Sequence, residues 1–386
     1  MSNSMFVIAV LGFNVALSEW LAHRTWLRHL GAALLVIVIT AAMANAGLIP
    51  AYTDDVPVYN GIFEYLAPLA IFLLLLRVHL RGILGVGLPM LVLFGLGMAG
   101  TAAGVLAGMQ VVGGSRAFGE LHYALGGMFV GTYTGGSINF NAIALEYGVT
   151  QDGMLYAGAA VVDSIMTTLW MALTVALPRV LGGIWPRVRN AGQGRPIADT
   201  ASHVEEDTDT VNPTDLAVLL ALGSFSVWIS DLSAQWIQQA TGVSVPSILI
   251  LTTLALVLAQ LPAIQKLRGT RVCGWLAVMV FLAVIGALCD FEALRGIGDL
   301  GGSLLVFAAV VVCVHGLIVF GSAALLRLDP AMAAVASQAN IGGSTSALAL
   351  ARSLGRADLA LPAILVGSLG NAGGTYLGFF IAAWLR

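Results

Sequence analysis

The chain has 386 residues, of which 59% are hydrophobic and 10% charged, with a formal net charge of −3. Globular domains carry roughly 25% charged residues, so a chain this apolar cannot cover itself with polar surface in water. The balance excludes a soluble globular protein and offers no basic surface for nucleic acid.

Ten stretches in chain order are apolar enough to serve as membrane helices, which need about 20 residues. They are roughly 4–21, 29–48, 60–77, 83–108, 152–179, 214–236, 244–261, 272–289, 301–326 and 358–385. No basic leader with a small-residue cleavage site precedes the first, so no removable signal peptide is expected. Cys273, Cys289 and Cys313 lie far apart without metal or redox spacing and read as inert wall residues. His122 and His315 stand alone in sequence and read as packing residues.

Two polar, glycine-rich phrases fall between the spans. "GTYTGGSINFNAIALEYG" runs from Gly131 to Gly148, and "QANIGGSTSALALARSLG" from Gln338 to Gly355. Both hold Gly-Gly-Ser, then Ala-x-Ala, then Gly at one spacing, inside segments of about 117–150 and 329–354. Residues 181–213, "LGGIWPRVRNAGQGRPIADTASHVEEDTDTVNP", form a hydrophilic linker between halves 1–180 and 214–386. Other pieces repeat as well: "YLAPLA" at Tyr65 matches "WLAVMV" at Trp275, and "LSEW" at Leu17 matches "ISDL" at Ile229. Weak internal similarity of this kind marks secondary-transporter folds.

Charge decides how the halves are oriented. If each glycine-rich segment is a re-entrant hairpin, each half crosses five times and the halves are inverted. With the N-terminus outside, 14 Lys and Arg residues then fall inside and only Arg116, Arg295 and Arg386 outside, out of 17. If each segment instead crosses once, the count becomes 7 inside and 10 outside. The positive-inside rule selects the hairpins, with both termini outside and the linker in the cytoplasm.

Irregular backbone in a bilayer survives only where protein buries it or water reaches it. Gly135-Gly136 and Gly342-Gly343 allow sharp turns and close approach to a ligand. Half-helix N-termini attract anions, and free carbonyls attract Na⁺. Ser137, Asn139, Asn141, Asn340, Ser344, Thr345 and Ser346 add neutral donors and acceptors, so these residues with the four glycines are the expected solute site. Asp163, in "AAVVDSIMTTLW", is an intramembrane acid and a cation or proton site by default. Its counterpart in the second repeat is Gly370, beside Asn371. Asp163, Ser164 and Asn371 are therefore the expected ion-coupling residues. Glu19, Glu64 and Asp231 lie near span ends, Glu120 lies in the first hairpin, and Glu146 lies near that hairpin's mouth.

The phrases "GTYTGGSINFNAIA", "AAVVDSIMTTLW", "ASQANIGGSTSALALARSLG" and "LPAILVGSLGNAGGTYLG" together resemble the domain-of-unknown-function 819 family of integral membrane proteins. The family's first phrase, GGSxNFxA, is matched by Gly135, Gly136, Ser137, Asn139, Phe140 and Ala142. Its second, ANIGG, is matched by Ala339, Asn340, Ile341, Gly342 and Gly343. Its sixth-segment acid is often followed by Asn, where this chain has Asp163 and then Ser164. The resemblance implies a multi-span protein of the bacterial inner membrane. A more distant likeness, in architecture alone, is to bacterial sodium/glutamate and sodium/citrate symporters.

The expected fold is thus all-α and integral to the membrane: about ten helices and two hairpins in two inverted five-span repeats, of the elevator type. The expected activity is ion-coupled transport of a small polar solute (organic anion, amino acid or short peptide) by alternating access. Na⁺ or H⁺ would be the coupling ion, no other metal or cofactor is expected, and a homodimer is the expected assembly. A channel or passive facilitator is the alternative. An intramembrane enzyme is a weaker one, since the chain has no HExxH, no GxSxG with a partner and no paired carboxylates.

Overall fold

A computed structural model describes residues 3–25, 31–51, 56–78, 80, 86–181, 211–289 and 297–386. The part of the 181–213 linker between 182 and 210 lies outside the described residues. Eight helices among the described residues are long and apolar enough to cross a membrane, and Gly31–Asn45 and Ser247–Leu258 are shorter apolar helices. These ten coincide with the ten stretches read from the sequence.

Together with the four shorter helices of the glycine-rich segments they run, in chain order, α1 (Ser4–Arg24), α2 (Gly31–Asn45), α3 (Pro57–Leu75), α4 (Leu88–Val112), α5 (His122–Gly135), α6 (Ser137–Glu146) and α7 (Gly153–Leu181). After the linker come α8 (Pro213–Thr241), α9 (Ser247–Leu258), α10 (Thr270–Ala287) and α11 (Ile297–Leu325). The chain closes with α12 (Pro330–Ile341), α13 (Gly343–Ser353) and α14 (Ala360–Leu385). Local signals set several ends. Asn212 and Asp329 cap α8 and α12 through their side chains, each followed by Pro at the first helical position. Gly113 and Gly242 end α4 and α8 in the left-handed conformation.

The glycine-rich segments become helix–break–helix pairs, α5–α6 and α12–α13. Their members have 14, 10, 12 and 11 residues. At 1.5 Å per residue each is about 15–21 Å long, short of the roughly 30 Å hydrocarbon core.

The helices sort into two compact units, each drawing on both halves of the sequence. The first comprises Met1–Arg77, Ala144–Ser164 and Val211–Leu304. Its centre is α10. A Cβ on Gly286 would collide with the Ile37 carbonyl of α2, and Gly274 lies against Leu73 and Leu74 of α3. Phe281 meets Phe63 and Tyr156 edge-on at 5.6 and 6.4 Å. Asn14 of α1 donates to Thr40 of α2, and Asn45 donates to the Cys289 carbonyl at 2.7 Å.

The second unit comprises Val78–Ile143, Ile165–Thr210 and Leu305–Arg386, and it holds both breaks. Close backbone approach organises it. Gly127, Gly131 and Gly135 of α5 run antiparallel to Gly378, Gly374 and Gly370 of α14, and a Cβ at any of the six would meet atoms under 3.0 Å away. Ladders of small residues bring membrane helices together in this way, because dispersion and not water exclusion drives their association. Gly100, Gly104 and Gly108 of α4 lie likewise against α11.

Candidate functional site

The two breaks share one backbone turn. In each Gly-Gly pair the second glycine has positive φ, +108° at Gly136 and +77° at Gly343. Such backbone strains any residue with a Cβ, which explains the glycine. A Cβ on Gly343 would stand 3.5 Å from the Gly135 carbonyl oxygen, so the breaks are neighbours. The C-terminal ends of α5 and α12 and the N-terminal ends of α6 and α13 meet there. Terminal helix amides and carbonyls lack intrahelical partners and carry the partial charges of the helix dipole.

Not all of the expected polar residues serve the same end. Asn139, fully buried, donates through Nδ2 to the carbonyls of Gly131 (3.3 Å) and Gly370 (3.4 Å), and its Oδ1 accepts from Thr375 at 2.7 Å. Every group of this amide is used in pinning α6 to α5 and α14. Asn141 is buried on the same helix. Ser137 and Thr345 are exposed in the first turns of α6 and α13. Ser344 is half-buried, with its backbone under Gly367 of α14. Ser346 donates to the Gly343 carbonyl at 3.1 Å. Asn371 joins this group, its Oδ1 being 3.7 Å from where a Cβ of Gly136 would stand.

Asn340 and Gln338 are different. Both are fully buried in α12. Asn340 Nδ2 donates to the carbonyls of Phe94 (3.2 Å) and Ala336 (3.1 Å), while its Oδ1 has no partner. Gln338 Oε1 accepts from Thr174 at 3.3 Å, while its Nε2 has no partner. A Cβ on Gly342 would collide with that Nε2, which puts the amide at the turn itself. Thr134 Oγ1, at the other break, is buried and unpartnered too. Most buried polar atoms find partners, so three such atoms at two adjacent breaks are bonding capacity held in reserve.

Asp163 and Ser164 belong to the first unit, where they are half-buried, and Ser164 donates to the Ala160 carbonyl of its own helix at 2.9 Å. The first unit also contains a cavity of about 280 Å³ whose lining includes Glu64, Glu146 and Asp231. Glu64 sits on a π-helical turn, Ile62–Leu66, inside α3. That three acids from distant positions share one cavity has no signal in the sequence.

His315 is the functional candidate that the sequence hid. It is a packing residue by sequence, yet both ring nitrogens are bonded. Nδ1 lies 3.0 Å from the Gly97 carbonyl, so this nitrogen carries the proton, and in the neutral ring Nε2 then accepts from Ser337 Oγ at 2.9 Å. Ser337 in turn accepts from Trp170 Nε1 at 2.9 Å. Thr101 Oγ1, 3.0 Å from Nδ1, donates to the Tyr133 carbonyl at 2.9 Å. Tyr133 has left helical geometry (φ −86°, ψ 16°), which frees that carbonyl. One chain of bonds thus ties the residue before Gln338 to the kink before Gly135-Gly136. Gly97 is part of it. Its missing Cβ leaves room for the Asn340 amide, and its carbonyl takes His315.

The family described as "Protein of unknown function (DUF819)" matches residues 6–386 of this chain. An uncharacterized membrane protein, YjcL of Bacillus subtilis (strain 168), is 24% identical over 373 residues, covering 93% of this chain and 91% of its own. With its apolar helices, the chain is a multi-span, all-α membrane protein, and it belongs to the DUF819 family.

Proposed function

We propose that the protein is an ion-coupled secondary transporter of a small polar solute, working by alternating access. The carrying observation is the pair of adjacent broken helices in one compact unit. Broken helices at membrane depth are tolerated where they line a site, and half-helix ends supply charge there without ionised side chains. The solute's acceptors would meet Gln338 Nε2 and the first-turn amides of α6 and α13. Its donors would meet Ser137, Ser344 and Thr345. With no Lys or Arg in α4, α5, α6, α12 or α14, amides and hydroxyls would do the holding. The solute is thus an organic anion, an amino acid or a short peptide. In this reading the two half-sequences are inverted repeats, each broken pair is a re-entrant hairpin, and the 14-to-3 charge count puts both termini outside.

The test is counterflow. Purified protein in proteoliposomes loaded with a metabolite mixture should exchange one labelled solute, with a dependence on the ion gradient. A channel would show flux without counterflow and without a fixed ratio of ion to solute. That result would replace this reading.

A further inference from the structure

Asn340 offers more than a polar group at a turn. Its Nδ2 donates to two carbonyls, those of Phe94 and Ala336. Turning the amide over would set its oxygen against both of them. The orientation is therefore fixed, and Oδ1 is held facing a place where no donor meets it. A buried acceptor left bare costs its full desolvation energy, so the position calls for a donor or a cation.

The surroundings favour a cation. Asn340 is the next-to-last residue of α12. The final carbonyls of a helix lack intrahelical amides, and the negative end of its dipole lies there. The Gly342 amide still reaches the Gln338 carbonyl at 2.8 Å, but the chain then turns at Gly343, with φ +77°, so the helix does not continue past the carbonyls of Ala339, Asn340 and Ile341. Gly97 gives the amide its room: a Cβ there would collide with Nδ2.

The chemistry also selects the ion. No Asp or Glu occurs in α4, α5, α12, α13 or α14. Divalent cations are held by carboxylates, whereas neutral carbonyl and amide oxygens suit an alkali ion.

We infer that Asn340 Oδ1, with the last-turn carbonyls of α12, is a binding site for Na⁺. Resting on the transporter reading, this assigns the coupling ion to Asn340 at the second break and not to Asp163. Na⁺ stabilises the folded unit by filling the place that Oδ1 faces, and it is bound without any carboxylate.

The experiment is a melting curve of the purified full-length protein in lipid nanodiscs. NaCl is titrated against choline chloride at constant ionic strength, with KCl and CaCl₂ as parallel arms. Na⁺ should raise Tm saturably, as a ligand of the native state does, and choline and Ca²⁺ should not. Asn340→Ser should weaken the apparent Na⁺ affinity by at least about tenfold. Asp163→Asn should leave it unchanged. No Na⁺-specific rise in the wild type would overturn the inference. So would a response that is lost in Asp163→Asn but kept in Asn340→Ser. Should Asn340→Ser fail to fold, the wild-type titration and the Asp163→Asn arm still decide. An Na⁺ response that depends on Asn340, in a protein that shows no counterflow, would uphold the ion site and remove the transporter reading.

Discussion

The two breaks share their glycines and little else. At the first, the main polar side chain follows the turn: Asn139 uses both ends of its amide to lock α6 onto α5 and α14. At the second, the polar side chains precede the turn, and Gln338 and Asn340 each keep one end bare. The glycines differ in what presses on them as well. Gly135 lies against the backbone of Gly370 and Asn371, whereas Gly342 lies against the side chains of Gln338 and Ser346. A repeated phrase therefore records a repeated backbone turn, not a repeated chemistry. The first break is fastened through its amide and leaves a hydroxyl, that of Thr134, bare, whereas the second leaves two amide ends bare.

The sharpest way to break this contrast is with methyl groups. In Gly135→Ala and Gly370→Ala the new Cβ meets backbone, which cannot rotate away. Both should exceed the usual overpacking cost of about 1–3 kcal/mol and yield little folded protein. Gly342→Ala need only displace two side chains, so it should fold with a smaller loss. Size-exclusion profiles and melting curves would decide. A Gly342→Ala variant as damaged as Gly135→Ala would remove the distinction between a rigid and a yielding break.

Next in size are the fastened amide and the histidine chain. Asn139→Ala removes its two bonds to the buried carbonyls of Gly131 and Gly370 and takes the acceptor from the Thr375 hydroxyl. At about 1–3 kcal/mol for a buried group left unsatisfied, Tm should fall clearly. His315→Ala strips partners from Ser337, Gly97 and Thr101 and should fall by a like amount. Gly136→Ala and Gly343→Ala come below these, because no atom lies closer than 3.5 Å to either new Cβ and only the positive φ opposes it. That strain is about 1–2 kcal/mol. In the transporter reading these two variants lose counterflow far out of proportion to their loss of Tm. Loss of counterflow only in step with Tm would make the turns packing motifs.

Much of this was legible before any coordinates. The ten apolar stretches announced ten helices, because lipid demands long apolar runs whatever the tertiary contacts. Both breaks were legible too, since Gly-Gly has few uses inside an apolar segment. The pairing of helices was not. Hydropathy does not say that Gly127, Gly131 and Gly135 face Gly378, Gly374 and Gly370, nor that each unit is assembled from both halves of the chain. The role of Gly97 is not legible in sequence because its partner, Asn340, is 243 residues away, from 97 to 340. His315 reads as isolated for the same reason: Thr101 and Ser337 reach it by hydrogen bonds and Trp170 by a ring contact, from three other helices. Residues fixed by local conformation can be read from sequence, and residues fixed by what meets them in space cannot.

The smallest expected effect is the most discriminating. Gln338→Met replaces a buried amide with a flexible apolar chain of similar length. The Nε2 it removes has no partner, so no bond is lost there and a desolvated donor disappears. The Oε1 it removes accepts only a long 3.3 Å contact from Thr174. That hydroxyl also lies 2.9 and 3.0 Å from the carbonyls of Trp170 and Met171 on its own helix, so it keeps a partner when Gln338 goes. Stability should accordingly stay within roughly 0.5 kcal/mol of the wild type or rise, whereas Asn139→Ala at the other break falls. A drop in Tm matching that of Asn139→Ala would mean that Gln338 is fastened like Asn139, and the contrast between the breaks would fail. An unchanged Tm with counterflow abolished is the expected outcome, because a bare donor at the turn that adds nothing to the fold is free to meet what the turn binds.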